Sequence, residues 1–156
     1  MLRALVVSLA WSFVLGLLTT VMTIGLGQAV THRALAAIAV FAVAGLIGAL
    51  IAWAAATLLT RRSRRRSARF AAMFACLTIG TAGVGSLLLY WQLNLYYARW
   101  HVGGFTVEAL IEFVFTSASA AYVLGVVGSR LLLPWVLPFA FLAAYAFAAA
   151  ERRDRP

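Results

Sequence analysis

The chain has 156 residues, a length that suits one domain, yet 65% of them are apolar and only 11% are charged, against about 25% charged in typical soluble domains. A domain this small keeps a large surface in contact with its surroundings, so the composition excludes a water-soluble globule and matches lipid as the solvent. The net charge of +9 would raise the question of nucleic acid, but the positive residues stand in short connections between apolar segments, where membrane topology accounts for them.

The first apolar run is 4–29, after the single charge of Arg3. A secretory signal has an apolar region of about 7–15 residues, and a spanning helix needs about 20. The run therefore predicts an uncleaved first span. Thr19, Thr20 and Thr23 are tolerable inside it, because a Thr hydroxyl can bond the carbonyl one turn earlier. A short polar break at Thr31, His32 and Arg33 leads to the second run, 34–60, so the first two helices form a tight antiparallel hairpin.

RRSRRRSAR follows, with six arginines in the nine positions 61–69. The third run is 70–95, and its end is aromatic and polar (Tyr90, Trp91, Gln92, Asn94, Tyr96, Tyr97). Amphipathic rings favour the headgroup level, which sets a membrane boundary there. A loop over 98–106 holds Arg99, His101 and the pair Gly103-Gly104. Next come 107–128 and 131–150, the latter with Pro134 and Pro138 near its start, and then the tail ERRDRP. Pro is cheap in a first helical turn, and a deeper one bends the helix.

The expected fold is all-α, a polytopic transmembrane bundle of five spans forming one integral membrane domain. Four spans plus a re-entrant or interfacial helix is the alternative. The two differ over 107–128. Basic residues near span ends are retained in the cytoplasm, so the 61–69 run and the N-terminus are expected inside. Five spans then leave eight arginines inside and five outside, and four spans leave ten and three. The charge rule prefers four. Hydropathy prefers five: between Ala109 and Gly128 only Glu112 is charged, and a charge costs about 2.5–3.5 kcal/mol at a span centre but less near its end.

Glu108, Glu112, Thr116 and Ser119 recur at four, four and three residues and form one polar stripe on a helix. Acids in spans usually face the bundle interior and often mark ion paths, but Glu112 stands about one turn from the boundary, where water, Arg99 or a partner can satisfy it. Arg61, Arg62, Arg64, Arg65, Arg66 and Arg69 are expected to contact anionic lipid headgroups, at about 1 kcal/mol per cation near the surface. The run lacks interleaved aromatics for base stacking, so no nucleic-acid partner is expected. Helix packing is expected at Ala44, Gly45, Gly48 and Ala49, at Gly80, Gly83 and Gly85, and at Gly125, since small side chains let backbones approach where lipid removes the hydrophobic force between helices.

His32 and His101 stand in turns without ligand spacing, and Cys76 is alone, so no metal, cofactor or intramolecular disulfide is expected. No nucleophile-base set or nucleotide loop is present. All 13 basic residues are Arg, which with abundant Ala, Gly and Val suggests a GC-rich bacterial genome. The expectation is a small, non-enzymatic accessory, assembly or regulatory subunit of a bacterial inner membrane, bound to another membrane protein or to itself. A small oligomeric transporter or channel with Glu112 on a polar helix face is the alternative.

Overall fold

A computed structural model describes residues 2–25, 27, 31–63, 65–97, 106–122, 125–126 and 129–150. Among them the chain is all-helical, with five helices: α1 (Leu2–Gly25), α2 (His32–Leu59), α3 (Arg66–Tyr97), α4 (Val107–Tyr122) and α5 (Ser129–Ala150). Among the described residues three segments are long and apolar enough to cross a membrane: Leu2–Gly25, Ala34–Leu59 and Arg66–Gln92. At 1.5 Å per residue, α1, α2 and α3 are about 36, 42 and 48 Å long, beyond the ~30 Å of a bilayer core. By the same rise α5 is about 33 Å long, and residues 125–126, between α4 and α5, are π-helical.

Helix α3 starts inside the arginine run, four residues before the expected apolar start. Arginine is a good helix former, so the helix extends through its own charged end. Pro134 and Pro138 both lie within α5, and membrane helices tolerate this where neighbours satisfy the freed carbonyls.

The turns are held locally. Gly27 has φ +66° and donates its N–H to the Ile24 carbonyl at 2.9 Å, closing the end of α1. That left-handed conformation suits glycine, which has no Cβ to clash. The Thr31 hydroxyl accepts from the Ala34 N–H at 3.3 Å and caps α2. Between α2 and α3, Thr60 donates its N–H to Ala56 and Ser63 donates to Thr60, each at 3.0 Å. Inside α1, Thr19, Thr20 and Thr23 donate to the carbonyls of Leu15, Gly16 and Thr19 at 2.7–2.8 Å, as their position in a span predicts.

Four helices make the core. α1 packs on α2, α2 on α3, α3 on α5, and α5 returns to α1. The shared cluster draws Trp11 and Leu15 from α1, Ala49, Ala52 and Ala56 from α2, Met73 and Leu77 from α3, and Ala140, Ala144 and Phe147 from α5. Long side chains close the two diagonals of this ring. Trp11 of α1 donates its indole N–H to Thr81 Oγ1 of α3 at 3.1 Å. Trp53 of α2 meets Phe147 of α5 edge-on, with ring centroids 4.8 Å apart. Phe141 of α5 also meets Phe70 of α3 at 4.7 Å. The C-terminal half of α5 thus touches the N-terminal half of α3 and the C-terminal half of α2.

Alanine supplies five of the ten residues of the core cluster, while the large apolar side chains of Phe13, Leu58, Ile79 and Phe115 are 62–73% exposed. Water would penalise those large side chains at roughly 25 cal/mol per Å², whereas lipid does not. The molecule is a helical membrane protein by this pattern as well as by the length of its helices.

Candidate functional site

Close approach of backbones governs the α1–α2–α3 packing. A Cβ added at Gly48 would lie 2.7 Å from the Cα and 2.8 Å from the nitrogen of Thr81. One added at Gly80 would lie 2.9 Å from the Gly48 carbonyl oxygen. These contacts are backbone against backbone, so nothing on either helix can rotate away. Gly45 faces α1, where a Cβ would meet Leu15 Cδ1 at 2.8 Å and Ser12 Cα at 3.1 Å. Ser12 then donates its hydroxyl to the Ala42 carbonyl at 2.7 Å across the same crossing. Ala44, Ala49 and Gly85 are buried. Gly83 and Gly125 differ from the rest: among the described residues a Cβ at either meets nothing within 4 Å.

The four polar-stripe residues all lie on α4, as their spacing predicts, but not in one environment. Among the described residues α4 packs on α3 alone. Ala109, Glu112, Thr116 and Ala120, spaced three, four and four, are its partly or fully buried positions together with Ser117. Glu112 and Thr116 therefore lie on the side turned to α3, while Glu108 and Ser119 are exposed. Phe113 of α4 meets Tyr90 of α3 edge-on at 5.5 Å. The outward side carries Leu110, Ile111, Val114 and Phe115, each 57–73% exposed. Polar side inward and apolar side outward is the arrangement a helix takes when lipid or a membrane partner covers it.

Thr106 fixes where α4 begins. Its hydroxyl accepts from the Ala109 N–H at 3.3 Å and its carbonyl from the Leu110 N–H at 3.2 Å. Glu108 falls in the first turn, where a negative charge complements the helix dipole. Thr106→Ala should cost about 0.5–2 kcal/mol of local stability, read as faster hydrogen exchange at the first α4 amides with α1–α3 unchanged. Equal protection in wild type and variant would show that the cap holds nothing.

The arginine run is shared between the turn and the start of α3. Arg61, Arg62, Arg65 and Arg66 are exposed, and Arg69, one turn into α3, is buried to 7% exposure. Arg64, His101 and Arg99 lie outside the described residues. His32 is exposed at the first position of α2. No group of three or more His, Cys, Asp or Glu that could hold a metal comes together among the described residues. Cys76 is a free thiol packed against the core.

Two interactions escaped sequence reasoning. The Trp11–Thr81 and Ser12–Ala42 hydrogen bonds join residues 70 and 30 positions apart, and no local spacing signals either. Comparison with known protein families, characterised proteins and solved structures finds no match to this chain.

Proposed function

We propose that the chain is a non-enzymatic accessory protein of a bacterial cytoplasmic membrane. In this reading α1, α2, α3 and α5 span the bilayer, and α4 is offered to another membrane protein. The observation that carries the reading is the construction of α4. It contributes nothing to the shared core, has Ala120 as its one buried residue, and turns an apolar face outward.

The span count draws support from α5. Its C-terminal half touches the parts of α2 and α3 nearest the 60–65 turn. If α5 crosses the bilayer, it therefore ends on the side of that turn. Ten arginines then lie on that side and three opposite, which makes it the cytoplasmic side by the charge rule. The arginines of the turn meet anionic headgroups there. A Cys76→Ala protein carrying Asp154→Cys should resist an impermeant thiol reagent in intact spheroplasts and react once the membrane is opened. Labelling of intact spheroplasts would instead establish five spans.

The rival reading, an oligomeric pore lined by α4, places Glu112 beside an ion path and predicts that Glu112→Gln abolishes flux in liposomes. Within one chain, Glu112 lies against α3 and outside the core cluster, which favours a contact role. A photoreactive residue at Ile111 or Phe115 tests this directly in cells. It should form an adduct with one partner protein, stoichiometric after purification, while the same residue at Phe13 of α1 gives lipid adducts. Lipid adducts alone at all three positions would defeat the reading.

A further inference from the structure

A cavity of about 300 Å³ lies between α3 and α5, lined by Arg66, Ser67, Phe70, Phe141, Tyr145, Ala148 and Ala149. Its wall is almost wholly apolar, with Arg66 and Ser67 of the first α3 turn among the lining residues beside Phe70, Phe141 and Tyr145. Phe141 and Tyr145 are each more than half exposed, so the apolar part of the cavity opens toward the surroundings of the helices.

We propose that this cavity is a seat for one anionic phospholipid, its phosphate held by Arg66, Ser67 and the start of α3, and an acyl chain laid between Phe70 and Phe141. The proposal rests on the reading that the arginine turn faces an anionic membrane surface, and it adds a defined stoichiometry and place. Three features select the ligand. The first N–H groups of a helix have no intrahelical acceptor, and with the helix dipole they favour a phosphate. Arg61, Arg62 and Arg65 stand exposed just before that end, so local charge attracts an anion and disfavours a cationic amphiphile. The aromatic and methyl wall has no polar use for a free ion but suits a hydrocarbon chain. A free phosphate shares the headgroup chemistry and leaves that wall uncovered.

Native mass spectrometry of the full chain tests the seat. The protein is released from detergent containing equal amounts of phosphatidylglycerol and phosphatidylcholine with identical chains. Wild type should retain one phosphatidylglycerol in preference to phosphatidylcholine. Arg66→Gln should lower the retained fraction about fivefold, the effect of one surface cation. Ala149→Phe, which fills the cavity and leaves every arginine in place, should lower it at least as much. Ser67→Asp guards against a misfolded Ala149→Phe, because an acid in a first helical turn does not oppose the helix yet repels the phosphate; it too should lose the lipid. Arg61→Gln with Arg62→Gln should lower it less than Arg66→Gln, because these charges attract the anion from outside the seat, where salt screens them.

Retention by both Ala149→Phe and Ser67→Asp overturns the seat. So does a loss confined to the Arg61 and Arg62 variant, which would leave only diffuse contact of the turn with lipid. Displacement of the lipid by millimolar glycerol phosphate would make the site a headgroup site without a chain, and overturns it as well. Equal retention of both lipids by wild type defeats the seat and the anionic-surface reading together.

Discussion

Gly48→Ala should destabilise the protein by about 1–3 kcal/mol, the cost of overpacking a filled site. The sign is informative, because alanine is the better helix former by up to about 1 kcal/mol in a helix interior. Intrinsic propensity therefore predicts a gain, and only the crossing predicts a loss. The new Cβ would stand 2.7 Å from Thr81 Cα, inside any van der Waals contact and against atoms that cannot rotate. Helices α2 and α3 must separate along their whole contact, opening gaps at Ala52, Ala56, Met73 and Leu77. Gly48→Leu should exceed the alanine effect and prevent α2 and α3 from closing. Gly83→Ala is the control: nothing lies within 4 Å of its Cβ, so it should be neutral or slightly stabilising. Unfolding by SDS from mixed micelles, followed by far-ultraviolet circular dichroism, measures all three. Equal midpoints for Gly48→Ala and Gly83→Ala would refute the close crossing.

Trp11→Ala should cost about 3–5 kcal/mol, the range for removing a large aromatic from a packed interior. Trp11 is only 4% exposed and reaches from α1 to α3 across the ring of helices. Among the described residues the backbones of α1 and α3 do not pack directly, so this side chain carries their connection. Most of the loss should be volume. Trp11→Phe removes the indole donor and part of the ring system, and should cost less than half as much. Hydrogen bonds between membrane helices average about 0.6 kcal/mol in double-mutant cycles. A cycle pairing Trp11→Phe with Thr81→Val should return a coupling of that order. Additive losses, with no coupling, would show that Trp11 acts through packing alone.

Much of this molecule can be read from residue type and spacing. Small residues four apart at Ala44 and Gly48, and at Gly45 and Ala49, anticipate buried helix contacts, and all four positions are buried. Thr19, Thr20 and Thr23 bond back along α1 as expected. Glu108, Glu112, Thr116 and Ser119 lie on one helix. The limits of that reasoning are equally specific. Gly83 and Gly125 have the same chemistry as Gly48, yet among the described residues a Cβ at either would meet nothing within 4 Å, because a glycine permits close approach without causing it. The polar stripe divides into two half-buried and two exposed members, since helical periodicity places residues around an axis and is silent about which arc a neighbour covers.

The sequence by itself determined the solvent, the helical class, the approximate helix limits and the asymmetry of charge. These follow from transfer free energies and backbone hydrogen bonding, which act on each segment separately. The tertiary structure alone decided which helices form the core, that α4 stands outside it, and that Trp11 and Phe147 bridge the diagonals of the ring. In lipid an apolar face gains little by choosing protein over hydrocarbon. The choice among helices then rests on fit at particular distances, such as Gly48 against Thr81, and fit exists only once both helices are in place.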